Sequence, residues 1–327
     1  MTTASKPAAQ LAQPGDAHRP LAVHSVHEYA LSVPDLEEAR HFYTSFGLDV
    51  RDEDGGLALY TYGHAHRWAR IHYGSAKRLL WLRFGIYAQD AVAFETYLDA
   101  QDIALMTPPA GAPSDGMWIA GPDGLPLQLV VADKSSPSVP APREYAPACN
   151  NQGRAPNRNK VAPVHPLYLS HILMFTADVL GATDFYNRVL GLKLSDKSAH
   201  VIAFMHTPHG SDHHLIALAL SDGPGLHHSS WCVPSMDAVG HGMTQMALAG
   251  YAKGWGVGRH VLGSNYFRYV RDPWGGYAEY SFDIDFVQAG AQWPAADHPG
   301  EDSIYVWGPD LPEDFIVNYE TSAKQTP

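Results

Sequence analysis

Residues 259–279, RHVLGSNYFRYVRDPWGGYAE, set His260, Tyr269 and Glu279 around a tight Arg-Asp-Pro-Trp-Gly-Gly turn. Two short aromatic-rich runs flanking a Pro/Gly turn predict a β-hairpin. Glu279 then lies on the return strand among Tyr277, Tyr280 and Phe282. A carboxylate in such surroundings is costly to bury unless it is paired or binds a metal. Glu279 is therefore a ligand candidate on chemistry alone. The chain also carries 19 histidines against 22 Lys plus Arg. Histidine is the commonest metal ligand, so this excess favours a metal site without locating it.

The elements that must position such groups are set by the rest of the chain. Its 327 residues are enough for two domains with real cores. With 45% hydrophobic and 17% charged residues it reads as a soluble globular protein. No run reaches the roughly twenty apolar residues of a membrane helix. Residues 1–22, rich in Ala, Gln and Pro, read as a disordered tail rather than a signal peptide. Cys149 and Cys232 are too few for a disulfide framework and point to a reducing, cytoplasmic setting. A net charge of −12 argues against nucleic acid and anionic membranes as partners.

The chain repeats itself about a proline-rich linker, residues 134–167. EYALSV, beginning at Glu28, leads to Phe42-Tyr43 and then Phe46-Gly47-Leu48. HILMFT, beginning at His171, leads to Phe185-Tyr186 and then Leu190-Gly191-Leu192. Each segment reads as strand, helix, glycine-terminated helix end and strand. Asp90-Ala91-Val92 and Asp237-Ala238-Val239 each open a second helix. Gly121-Pro122-Asp123-Gly124 and Asp272-Pro273-Trp274-Gly275 each turn into a last strand. The expected fold is α+β: tandem βαβββ modules in two halves, 23–133 and 168–288, followed by a C-terminal extension, 289–327.

This arrangement resembles the vicinal-oxygen-chelate superfamily. The run SNYFRYVRDPWGGYAE in the second half resembles type I extradiol catechol dioxygenases, including homoprotocatechuate 2,3-dioxygenases. The resemblance spans roughly residues 24–288 and is specific only in the second half. It implies two open, barrel-like sheets and iron(II) held by two histidines and a glutamate, the open-faced triad of non-haem iron oxygenases. Residue by residue, it points to His171, to a histidine of Leu226-His227-His228, and to Glu279. Alternate strand residues share a face. His228 falls with Ser230 and Cys232, whereas His227 falls with Trp231 and Val233, a bulky face suited to packing under a helix. His228 is thus the expected ligand, with His227 as the alternative. Transferred to the first half, the three positions become Glu28, Trp81 and Gln128, a set that reads as scaffold without metal.

The resemblance also implies an acid-base histidine on the strand before the second ligand, here His214, with His213 as the alternative. His260 and Tyr269 match residues that hydrogen-bond substrate and intermediate. The implied reaction is meta cleavage of a small aromatic diol with dioxygen as co-substrate. Manganese(II) is an alternative to iron(II), and the implied assembly is a homo-oligomer, of which a tetramer is one form. Two other readings stay open. One is a different metalloenzyme of the same fold, a glyoxalase-like isomerase or a ring-modifying hydrolase; the other is a metal-free binding module. Trp255, Trp274 and Trp307 are candidates for a pocket wall.

Overall fold

The computed structural model describes residues 19–144 and 150–321. The expected tail lies outside the described residues up to position 18, as does Cys149. Leu21 and Ala22, by contrast, are described and sit against the fold, Ala22 fully buried.

The first half contains strands β1 (Ser25–Val33), β2 (Asp49–Glu53), β3 (Gly56–Tyr60), β4 (Arg67–Tyr73), β5 (Arg78–Ile86), β6 (Met117–Ala120) and β7 (Pro126–Val131). They form one sheet in the order β2-β3-β4-β1-β5-β7-β6. Helix α1 (Leu36–Ser45) follows β1, and α2 (Ala91–Ala100) follows β5. The second half contains β8 (Tyr168–Thr176), β9 (Lys193–Ser198), β10 (Ile202–His206), β11 (Ser211–Asp212), β12 (Ile216–Leu220), β13 (Gly225–Cys232), β14 (Gly254–His260), β15 (Tyr266–Arg271) and β16 (Tyr277–Phe282). Its helices are α3 (Val179–Leu190) and α4 (Met236–Leu248). Three short strands follow: β17 (Phe286–Val287), β18 (Ala296–Asp297) and β19 (Tyr305–Trp307).

The second sheet runs β18-β9-β10-β12-β8-β13-β16-β15-β14-β19, while β11 and β17 pair separately. The C-terminal extension thus adds one strand to each edge, β18 against β9 and β19 against β14. Neither large sheet closes into a barrel. In both halves the first strand is parallel to the strand that closes its own module and antiparallel to the strand that opens the next.

The repeat differs from expectation in one module. After α2 the first half forms only β6 and β7, with a single bridge between Leu105 and Ile119 where a further strand is expected. Pro108, Pro109 and Pro113 fall in this segment, and proline cannot donate to a strand ladder.

Helix boundaries follow local chemistry. Asp35, Asp178 and Ser235 cap α1, α3 and α4 by accepting from backbone N–H groups three residues on. Gly191 ends α3 at φ +74°, a left-handed conformation suited to glycine. Strand alternation then divides the side chains between two faces. On β8, Ile172 and Met174 enter the core beneath the helices, while Leu173 and Phe175 join a separate cluster on the other face. The same helix-side core takes Tyr29 and Leu31 from β1 and Ala278 and Tyr280 from β16, so it runs through both halves. Tyr280 stacks on Phe46 with centroids 3.9 Å apart and donates to the Phe46 carbonyl at 2.8 Å.

Candidate metal centre

The predicted hairpin forms between β15 and β16. Its turn is built by Asp272, whose Oδ1 accepts from the backbone N–H groups of Trp274 (2.8 Å) and Gly276 (2.9 Å). The other oxygen accepts from Lys77 of the first half at 2.8 Å, in a buried ion pair. Gly276 leaves room for this pair: a Cβ at this position would fall 1.8 Å from the Lys77 ammonium, which would have to move. The turn fixes the register that pairs Tyr269 with Glu279.

His171, His228 and Glu279 lie on β8, β13 and β16, three consecutive strands of the sheet. Ser230 pairs with His171 on one side and with Glu279 on the other, and His228 stands two residues before it. The three side chains meet on the face away from the helices. One donor atom from each lies within 4.8 Å of the others. Glu279 Oε2 is 3.3 Å from His171 Nε2 and 3.5 Å from His228 Nε2. All three residues are buried, yet His228 Nε2 and Glu279 Oε2 have no hydrogen-bond partner among the described residues. Buried polar atoms are rarely left unpaired. Two imidazole nitrogens and a carboxylate so arranged fit a divalent cation.

The protonation states suit ligation. Burial pushes Glu279 up, but contact with His171 and the nearby His260 outweigh it and hold the carboxyl below its ordinary value. Burial, with neighbouring histidines, pushes His228 far down, so its imidazole is neutral. Its tautomer follows from a chain of contacts. The Phe315 carbonyl can only accept, so His227 donates to it from Nε2 (2.7 Å). His227 Nδ1 then accepts from His228 Nδ1 (2.7 Å), which leaves the His228 Nε2 lone pair facing Glu279. On His171, Nδ1 lies 3.3 Å from Ser170 Oγ, which donates to Asp212 at 2.6 Å.

His227 departs from the sequence expectation. It does not pack under a helix but sits in an aromatic wall with Phe175, Tyr277 and Phe315. A bulge between Leu226 and His228 interrupts the alternation on which that expectation rested. The two histidines consequently stand side by side.

A cavity opens onto His171 and His228, lined also by Leu173, Phe204, His214, Trp255, Leu262 and Ile304, among others, while Glu279 lies fully buried against the two histidines. Trp255 lies in this wall, whereas Trp274 and Trp307 do not line it. The His214 ring is 4.0 Å from that of His171, and burial pushes its pKa far down. His213 is turned the other way, 2.9 Å from Asp196, and does not line the cavity. His260 donates from Nδ1 to the Ile304 carbonyl (2.7 Å) and through Nε2 accepts from the Tyr269 hydroxyl (2.9 Å). Five of the six sequence-derived candidates thus line one space, and the sixth, Glu279, is buried against His171 and His228.

Sequence reasoning missed several supporting groups. Asn265 donates to Glu279 Oε1 at 3.2 Å and to Ser281 at 3.0 Å, and Ser170, Asp212 and Phe315 act as described above. Asp212 adjoins His213-His214 in sequence, a signal that could have flagged it. The Phe315 and Ile304 carbonyls give no such signal, because a backbone acceptor has no residue type.

In the first half, Glu28, Trp81 and Gln128 occupy the corresponding register, with Arg83 in the place of Ser230. Arg83 donates to Gln128 and approaches Glu28 at 3.5 Å, and Arg67 and Arg70 also pair with Glu28. Guanidinium groups fill this position.

A profile of the glyoxalase/bleomycin resistance protein/dioxygenase superfamily matches residues 168–280. The chain is 46% identical over 320 residues to metapyrocatechase 2 of Cupriavidus necator, covering 98% of this chain and all of that one. An extradiol ring-cleaving dioxygenase from B. fuscum superposes with a TM-score of 0.72 at 17% identity, covering 93% of this chain and 84% of that one. A Mn(II)-bound glyoxalase from Novosphingobium aromaticivorans superposes at 0.71 with 21% identity, covering 90% and 94%. At these identities the two structures speak for the fold alone.

Proposed function

The chain belongs to the catechol 2,3-dioxygenase-like members of the glyoxalase/bleomycin resistance protein/dioxygenase superfamily, and on that footing we propose that it cleaves a catechol ring beside the diol. Dioxygen is the co-substrate, and both of its atoms enter a 2-hydroxymuconic-semialdehyde-type product. The observation that carries this reading is the cluster of His171, His228 and Glu279, whose two histidines line an apolar, aromatic cavity.

The three residues would hold a divalent metal, which we propose to be iron(II), with manganese(II) as the alternative. Bound there, the metal would supply open coordination positions for the diol oxygens and for dioxygen. The remaining steps fall to the protein. Leu173, Phe204 and Trp255 exclude water from around the ring. His214 faces the same space and is the group proposed to take a phenolic proton and return it later. Tyr269 and His260, joined by a hydrogen bond, are proposed to orient and stabilise oxygen-borne negative charge as it develops.

A glyoxalase-like isomerase or a ring-modifying hydrolase would draw ligands from both halves, and Trp81 with Arg83 supports no second set. The histidines converging on the cavity weigh against a metal-free binding module. Among the described residues no helix is long and apolar enough to cross a membrane. A cytoplasmic location and a homo-oligomeric assembly complete the proposal; fractionation and light scattering test them.

The decisive experiment loads the purified protein with iron under anaerobic conditions, admits oxygen, and screens a panel of catechols for the yellow ring-fission product. Product formation dependent on the metal supports the reading. Stoichiometric iron without product from any catechol would sink it.

A further inference from the structure

Adjacent histidines occur twice at the cavity, and the pair His213-His214 repeats the device that orients His228. We propose that Asp196 and His213 are positioning residues for His214, fixing which of its ring nitrogens faces the cavity. The proposal rests on the reading of His214 as the acid-base group.

The geometry is a chain of three side chains. His213 is fully buried, and its Nε2 lies 2.9 Å from Asp196 Oδ2. Its other nitrogen, Nδ1, lies 3.1 Å from His214 Nδ1. A carboxylate only accepts. His213 thus donates from Nε2, and in the proposal it carries that one ring hydrogen, so that Nδ1 accepts. His214 must then donate from Nδ1, which leaves the lone pair of Nε2 free. The rings are locked as well: His213 meets Trp293 edge-on with centroids 5.0 Å apart, and His214 meets Phe204 at 4.9 Å.

Asp196 is itself held. It accepts from Trp293 Nε1 (3.2 Å), the Ala296 backbone (3.0 Å) and His298 Nε2 (2.8 Å), all from the C-terminal extension. Burial opposes ionisation, but these bonds and the one from His213 outweigh it, holding the carboxyl at about 2. Asp196 is thus a fixed anion at the far end of the chain. When a phenolic O–H breaks and a new N–H forms at His214 Nε2, the ring keeps its donated Nδ1–H. The positive charge gained is then faced, across His213, by the Asp196 carboxylate. The proton returns along the same N–H when it is given back.

The test uses the iron-loaded enzyme and compares His213→Leu, His213→Asn, Asp196→Asn and His214→Phe, with the double variants. His213→Leu removes both contacts. His213→Asn can present an amide oxygen where Nδ1 stood, so it keeps an acceptor for His214. His213→Leu is expected to lower kcat about tenfold to a hundredfold, the range typical of partners that orient a site group. Iron content and anaerobic catechol affinity should not change. His213→Asn should recover most of the loss. In the His214→Phe background, His213→Leu and Asp196→Asn should cost nothing more, because residues acting through one group are non-additive. Independently of activity, 15N shifts of the zinc-loaded protein should show His214 Nε2 unprotonated in the wild type and mixed tautomers in His213→Leu. Full turnover in His213→Leu, or an equal further loss on top of His214→Phe, overturns the proposal. Full turnover in His214→Phe alone instead removes the acid-base reading beneath it.

Discussion

Arg83 and Ser230 stand at the same point of the internal repeat. Arg83 pairs with Glu28 across β1 and with Gln128 across β7; Ser230 pairs with His171 across β8 and with Glu279 across β16. A serine leaves the space between those side chains open. An arginine fills it with a cation of its own. The same sheet geometry therefore yields a candidate metal centre in one half and an internal ion-pair cluster in the other.

Removing the buried carboxylate from that cluster should be destabilising. In Glu28→Ala, buried Arg83 keeps only the exposed Asp115, and Arg67 and Arg70 keep only Glu53 and Asp54, all more exposed than Glu28. Breaking a buried ion pair from one side costs about 3–5 kcal/mol. The remaining carboxylates make that an upper bound on the shift in urea unfolding, while metal content per folded chain stays unchanged. A variant as stable as the parent would mean that solvent reaches the cluster and screens it.

The ligand assignments separate by metal content. His171→Ala, His228→Ala and Glu279→Ala should each lose most bound iron while keeping the fold. His227→Ala should still bind iron, but about 10–100-fold more weakly, because His228 loses the acceptor that fixes its tautomer. Metal analysis after dialysis at graded chelator concentrations reads the difference. Normal iron retention in one of the three alanine variants would strike that residue from the set.

Much of this was legible in the sequence, for reasons that can be named. The Asp-Pro-x-Gly turn dictates a hairpin by local chemistry alone, so Glu279 could be placed on its return strand. The repeat carried register, which is why Glu28, Trp81 and Gln128 could be set beside the second-half residues. What failed depended on irregularity. The bulge at His227 changes side-chain direction without a sequence mark, whereas the strand missing after α2 had a mark in Pro108, Pro109 and Pro113 that the repeat pattern overrode. The carbonyls of Ile304 and Phe315 come from a segment with no counterpart in the repeat, so its reach into the site could not be read.

Stability should fall with acid in a window set by histidines outside the site. Burial holds His24, His206 and His209 at about 4, against 6.5 for the free side chain. Because the folded values lie below the unfolded one, the unfolded chain takes up protons first as pH falls. Stability is therefore flat above about 6.5 and declines from there towards 4. Melting temperature measured from pH 8 to 4.5 should show that break. His209→Gln should flatten the slope, since one of the three groups no longer titrates. An unchanged slope would assign the decline to other groups, among them His27 and His227, which burial also lowers.

The buried pair Lys77–Asp272 couples the halves at the turn that sets Glu279. Asp272 uses one oxygen to shape the turn and the other to receive Lys77, and both side chains are almost fully covered. Lys77→Met removes the cation while keeping most of the stem's packing. Asp272 is then left as a buried carboxylate with no ion partner, a change of the class that costs several kcal/mol. The turn can relieve this only by moving Asp272 towards water, which pulls on the backbone seven residues before Glu279. Two readouts should therefore change together: a lower unfolding midpoint and weaker iron retention, even though residue 77 lies in the half without the candidate centre. The double variant Lys77→Met/Asp272→Asn should recover part of the stability, because no buried charge is then left unpaired. Lower stability with iron retention untouched would show that the hairpin holds its register without the pair, and would confine Lys77 to joining the halves.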